Sequence, residues 1–148
     1  MHIVLVEPEI PGNTGNIARL CAAEHLTLHL VEPLGFQIDD KHLKRAGLDY
    51  WDLLDVHVHP NYDSVVRMLA GHHFYLNTTK AIRSYTDISY DGDDVLVFGK
   101  ETKGLPEELL RSHKEDCIRI PMIEEADKFF FFIRPRRFGK SLTVNMLQ

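Results

Sequence analysis

The residues best placed to do chemistry lie in one stretch near the start of the chain, E-P-E-I-P-G-N-T-G-N-I-A-R at 7–19. It follows a short apolar run, His2 to Val6, and leads into Ile17, Leu20 and Cys21 at helical spacing, an order that predicts strand, polar turn, helix. Arg19 falls about one turn into that helix, facing whatever lies above the strand ends. A guanidinium keeps its charge, with a pKa above about 12, so it suits an electrostatic and orienting role better than that of a base. Asn16, three residues earlier on the same helical face, can orient the arginine or a bound group, or can help close the turn. Pro8, Pro11, Gly12 and Gly15 punctuate the turn, and Asn13 or Thr14 is expected to cap the helix. On spacing alone, an ordinary strand-to-helix connection carrying a solvated arginine is the simpler account.

Other residue types invite other chemistry. Nine histidines raise the question of a metal, above all His57, His59, His72 and His73. Alternation in V-H-V-H puts His57 and His59 on one strand face, expected to look into solvent, and no Cys or Asp partners stand at ligand spacing, so no metal is expected. Cys21 and Cys117 sit in apolar runs, where a buried free thiol is the default.

The elements that must position these side chains can be read from the same pattern. Strand-like runs recur at 2–6, 27–31, 56–59, 73–76, 95–98 and 117–120. Helical patterns fall between them at 15–24, 40–45, 62–70 and 106–111, and 84–94 reads as loop around the Asp91-Gly92 turn. Strand–helix alternation predicts an α/β fold with a mostly parallel sheet and flanking helices. In such sheets ligands gather outside the carboxyl ends of the strands. Three loops leave strands there: 77–80, 99–104, and the one from Pro121 onward. Gly99 and Gly104 allow either close approach of backbone to a ligand or simply a tight turn, and the turn is the simpler reading.

With 148 residues the chain suits one domain with a real core, and 44% hydrophobic residues fit a soluble globular protein. No apolar run approaches the roughly 18 residues a bilayer span needs, and no basic region precedes the first apolar stretch, so the expectation is a cytoplasmic protein without a membrane segment. The net charge of −5 hides an asymmetry: residues 128–148 hold five basic residues and no acidic one, leaving 12 basic against 22 acidic in 1–127, a net of −10. A body this acidic excludes diffuse nucleic-acid binding, because phosphate contacts need Lys and Arg; any such site must be local. Lys41, Lys44 and Arg45 form one basic cluster at helical spacing, read either as an RNA contact or as the solvated face of a short helix.

Taken together, the opening motif, E-P-L-G-F at 32–36, D-D-K-H-L-K-R-A-G-L-D-Y at 39–50, N-T-T-K at 77–80, V-L-V-F-G-K-E-T-K-G-L-P at 95–106 and I-R-I-P-M at 118–122 resemble the SPOUT superfamily. The closest branch is that of the tRNA ribose 2′-O-methyltransferases acting on the wobble nucleotide, and the resemblance runs from about Met1 to Glu124. It implies S-adenosylmethionine as methyl donor, tRNA as substrate, no metal, and a homodimer. By position it implies Arg19 at the reactive centre, beside which the helical spacing places Asn16. It also implies a donor pocket built largely from main chain at Asn77, Gly99, Glu101, Ile120 and Met122; Lys41, Lys44 and Arg45, from their charge and spacing, remain the candidate RNA contact.

After Glu124 the pattern breaks. The family's S-x-N-L-S-N loop and long amphipathic helix, which complete a trefoil knot, the pocket and the dimer face, are replaced by A-D-K-F-F-F-F-I-R-P-R-R-F-G-K-S-L-T-V-N-M-L-Q. Five of the eight phenylalanines fall there, beside the charge reversal. The division expected is a methyltransferase-like domain over 1–127, its knot incomplete, and a foreign tail over 128–148. That tail resembles the start of an AAA-ATPase-like family, with Lys140 and Ser141 in the phosphate-loop positions, but Arg134 stands where the leading glycine belongs. Two rival expectations follow: a non-catalytic chimeric remnant that binds RNA weakly or not at all, and, ranked last, a nucleotide-binding module on 134–141.

Overall fold

The computed structural model describes residues 1–38 and 51–121. Six strands, β1 (His2–Val6), β2 (Thr27–Val31), β3 (Val56–His59), β4 (Phe74–Asn77), β5 (Val95–Phe98) and β6 (Cys117–Ile118), form one sheet in the order β3-β2-β1-β5-β4-β6. Every pairing is parallel, from His2↔Thr27 on one side of β1 to His2↔Val95 on the other, so all six carboxyl ends share one rim. Among the described residues three helices flank the sheet: α1 (Pro11–Glu24), α2 (Tyr62–Met68) and α3 (Glu107–Ser112).

Period-two alternation divides the core into two layers. Ile3, Leu5, Leu28, Leu30, Leu96 and Ile118 point to one face and pack with Ala18 and Cys21 of α1. Val4, Val6, Val31, Leu76, Val95 and Val97 point to the other and pack with Val65 of α2 and Leu110 of α3. Burial on both faces explains why the strands are almost wholly apolar, as parallel sheets require. Cys21 and Cys117 are buried free thiols, and desolvation pushes Cys21 up to about 12.

The expected loop at 84–94 is mostly loop, broken by a 3₁₀ turn at Tyr85–Asp87 that Ser84 and Asp87 close with a capping box. Two expectations need correcting. Helix α1 begins at Pro11 rather than near Gly15, with Ile10 at the N-cap and no side-chain cap, so neither Asn13 nor Thr14 caps it. Proline at the first position needs no N–H partner, so the helix starts a turn earlier than the polar residues suggest.

The second concerns the histidines. His57 and His59 do share a face, and the His57 side chain is 37% exposed, but His59 is buried against Ser64 of α2. A hydrogen-bonded file of imidazoles accounts for this: His2 Nδ1 lies 3.0 Å from His29 Nε2, and His29 Nδ1 3.0 Å from His59 Nε2. His59 Nδ1 in turn lies 3.0 Å from Ser64 Oγ. Each ring satisfies its neighbour, so burial leaves no nitrogen of His29 orphaned. Among the described residues no three His, Cys, Asp or Glu side chains converge as a metal would require. The expected helix at 40–45 lies outside the described residues.

Candidate functional site

A cavity of about 350 Å³ opens at the shared rim. Its walls come from the ends of β1, β5 and β4, the loops that leave them, the first turns of α1, and Ile120 just after β6. Leu5, Ile17, Phe98, Leu105 and Leu110 make it largely apolar, and Asn13, Thr14, Asn77 and Thr78 add polar groups. Both size and mixed lining fall within the range of small-molecule sites.

The loop after β5 owes its shape to two glycines. A Cβ on Gly99 would stand 2.1 Å from the carbonyl carbon of Gly104 and 2.3 Å from the amide of Leu105, so only glycine fits. Gly104 takes φ +71, and its N–H donates to the Lys100 carbonyl at 2.8 Å, closing the loop on itself. Gly99's close approach is therefore to this loop's own backbone, the turn reading, while the loop it creates lines the cavity.

Two acids fasten that loop to the one before α1. Glu101 accepts the Glu9 N–H at 2.9 Å through Oε2 and the Ile10 N–H at 3.2 Å through Oε1. Glu9 Oε1 accepts the Thr102 N–H at 3.1 Å and the Thr102 hydroxyl at 2.7 Å. The Thr102 hydroxyl and amide hold the Glu9 carboxyl below the usual carboxylate range. Lys100 Nζ adds an ion pair to Glu7 at 3.3 Å. The β2 loop joins them: the Gly35 N–H donates to the Pro8 carbonyl at 2.9 Å, and a Cβ there would stand 2.6 Å from the Glu9 carbonyl oxygen. The motifs at 7–19, 32–36 and 95–106 are thus three parts of one fastening.

On the far side, Asn77 Nδ2 donates to the Val97 carbonyl at 3.1 Å, and the Thr78 N–H donates to the Ile118 carbonyl at 2.9 Å. These bonds hold the loops after β4, β5 and β6 side by side. The Asn77 amide nitrogen is thus engaged by the neighbouring strand while the residue lines the cavity.

Asn77, Gly99, Glu101 and Ile120 thus line one cavity. Asn16 is half-buried and Arg19 exposed, and neither is part of that lining. Asn13 and Thr14, taken in the sequence for capping residues, line the cavity instead and are buried. Their apolar-facing positions, one and two turns ahead of Ile17, Ala18 and Cys21 on the sheet side, were the available signal. Met122, Lys41, Lys44, Arg45 and the tail lie outside the described residues.

Comparison with known proteins decides the family. The model of the SpoU rRNA methylase family matches residues 1–129. The chain belongs to that family. A model of an AAA-ATPase-like family matches residues 117–148. Among curated relatives of this SpoU-family chain, a tRNA (cytidine(34)-2′-O)-methyltransferase of Methylovorus glucosotrophus is 49% identical over 122 residues, covering 82% of this chain and 79% of its own. A structure described as giving insight into 2-OH methylation of C/U34 on tRNA is 39% identical with a TM-score of 0.75, covering 84% of this chain and 76% of its own. An AdoMet-bound rRNA methyltransferase from Sinorhizobium meliloti shares the fold at 23% identity and a TM-score of 0.70, covering 93% of this chain and 56% of its own.

Proposed function

We infer that this chain is a methyltransferase that uses S-adenosylmethionine to methylate the ribose 2′-hydroxyl of the wobble nucleotide of tRNA. The observation that carries the reading is the 49% identity to a tRNA (cytidine(34)-2′-O)-methyltransferase over 122 residues, 82% of this chain. The cavity suits the donor: about 350 Å³, apolar walls for a nucleoside, and loop main chain at Gly99 and Ile120. The donor supplies a methyl group on a positively charged sulfur.

The chain's own residues have two tasks. The loops after β4, β5 and β6 hold the donor, through Asn77, Gly99, Glu101 and Ile120, with Met122 as the next position. The second task is to present the ribose oxygen about 3 Å from the methyl carbon, in line with the leaving sulfur, an alignment that supplies several kcal/mol. Ribose hydroxyls are weak acids, so a neighbouring cation helps the proton leave. Arg19, exposed on α1, suits a role on a polymeric substrate: its guanidinium stabilises developing negative charge on the ribose oxygen, and Asn16 orients it. Lys41, Lys44 and Arg45 are assigned to the RNA backbone. A cytoplasmic location fits an enzyme acting on tRNA.

The chain divides in this reading into a methyltransferase domain over 1–127 and a separate tail over 128–148. The match of an AAA-ATPase-like model to residues 117–148, where the family's S-x-N-L-S-N loop and last helix belong, favours a second reading. In it the chain is a remnant with the fold but not the activity, lacking the family's dimer helix. Transfer of labelled methyl from S-adenosylmethionine to unmodified tRNA separates the two. Incorporation at position 34 supports the enzyme, and none above a no-protein control supports the remnant.

A further inference from the structure

Thr14 stands apart from the other polar residues of the cavity. It is 1% exposed, it lines the cavity, and its Oγ1 is buried without a hydrogen-bond partner. Folded proteins seldom leave a buried hydroxyl unpaired, because the desolvation it suffers is not returned. The Thr14 N–H, by contrast, is paired: it donates to the Ile10 carbonyl at 3.2 Å. The side chains of Leu5 and Ile17, which line the same cavity, carry no acceptor. The hydroxyl is therefore made for something that enters the cavity.

Its place suggests what. Thr14 lies in the first turns of α1, a helix of 14 residues, where amides without intrahelical partners favour an acceptor or an anion. Asn13, also buried, lines the cavity beside it. The lysines of the lining are Lys80, Lys100 and Lys103, against one carboxylate, Glu101, which is engaged by the Glu9 and Ile10 amides. Lys80 pairs with Glu107 and Lys100 with Glu7, and Lys103 adds a further cation to the lining. The loops after β4 and β6 bring Thr78, Thr79 and Ile120 to the lining, and Ile120 offers an apolar surface to a flat nucleoside. A ligand with a nucleoside at that end and a small anionic group at the α1 end matches both halves.

We propose that the Thr14 hydroxyl binds the carboxylate of the amino-acid arm of the methyl donor, making Thr14 a ligand-binding residue of this chain. The assignment rests on the donor reading above. The carboxylate accepts the Thr14 O–H, which gives the hydroxyl the partner it lacks in the free protein.

Calorimetric titration of the full chain with two compounds tests it: S-adenosylhomocysteine, which carries the arm, and 5′-methylthioadenosine, which lacks it. Thr14→Val keeps the shape and removes the hydroxyl. It is expected to weaken S-adenosylhomocysteine about ten- to a hundredfold, the worth of a hydrogen bond to a charged group, and to leave 5′-methylthioadenosine unchanged. Thr14→Ser is expected to restore most of the loss. Because an orphan hydroxyl is being removed, the ligand-free Thr14→Val chain should melt no lower than the parent. Equal S-adenosylhomocysteine affinity in parent and Thr14→Val, or equal loss of both compounds, overturns the Thr14 assignment alone. Failure of the parent chain to bind either compound overturns the donor reading and this one with it.

Discussion

Glu9 and Glu101 each accept main-chain N–H groups from the loop that carries the other: Glu101 takes the amides of Glu9 and Ile10, and Glu9 takes the amide and hydroxyl of Thr102. Each carboxylate is satisfied by donors of the opposite loop, so the two acids need share no proton. The arrangement ties the start of α1 to the loop after β5, the two segments that meet at the cavity.

That reciprocity predicts the effect of breaking one side. Glu101→Gln leaves one carbonyl oxygen for two amides and turns an –NH₂ group toward a donor. It should lower stability by about 1 kcal/mol, and Glu101→Ala by about 1–3 kcal/mol, each read from urea unfolding at pH 7. Glu9→Gln combined with Glu101→Gln should cost less than the two single changes added together, since the partners share one fastening. Unfolding midpoints equal to the parent's for both Glu101 variants would show that the loops are held by other contacts.

Gly99 predicts a sharper result. An alanine methyl at 2.1 Å from a backbone carbon cannot be absorbed by a side-chain rotation, so the loop at 99–104 must move. Gly99→Ala should cost about 2 kcal/mol or more, as strained backbone substitutions do, and should abolish S-adenosylhomocysteine binding, whereas Gly12→Ala, with open space around its Cβ, should do neither. A Gly99→Ala chain with parental melting temperature and affinity would refute the close packing.

Much of this was legible in the residues. Strands β1, β2, β3 and β5 fall where the apolar runs put them, because short β-branched runs between turn signals have few other ways to be buried. β4 is displaced by one residue and β6 stops at Ile118, since pairing with a neighbour ends a strand and the residues themselves do not encode that. The start of α1 was misread because Asn and Thr resemble caps whether or not a proline upstream has already begun the helix. The orphan hydroxyl of Thr14 and the imidazole file were invisible for a related reason. Each depends on which residues of distant strands and helices come to lie opposite, and spacing along one segment carries no record of that.

Arg19 lies outside the cavity lining and is exposed, so its removal should separate chemistry from donor binding. Arg19→Ala is expected to lower methyl transfer to tRNA by about a hundredfold or more, the usual loss when a charge-stabilising group is deleted, with S-adenosylhomocysteine affinity unchanged. Arg19→Lys should recover only part of the activity, because an ammonium cannot reproduce the planar fork. If Arg19→Ala transfers methyl groups at the parental rate, the arginine belongs to the solvated face of α1 and the reactive centre must be sought among Asn13 and the loops.

The imidazole file sets the response to acid. A neutral ring offers one donor and one acceptor, so His2, His29, His59 and Ser64 can be linked head to tail; a protonated ring has two donors and breaks a link. Burial first, then the neighbouring His2, His59 and His57, holds His29 down to about 4, with Asp55 opposing them. His2 and His59 are also lowered, chiefly by burial, and His72 packs edge-on against His2. The unfolded chain therefore takes up protons below about 6.5 that the folded chain refuses, and stability falls as pH drops from about 6.5 towards 4. Between pH 7 and pH 5 the loss from His29 should be about 2 kcal/mol at most, seen as a lower urea midpoint. His29→Asn should be less stable than the parent at pH 7, because two imidazoles lose their partner, yet should lose less on going to pH 5. A parent chain whose midpoint is the same at both pH values would mean that the buried file accepts protons without opening.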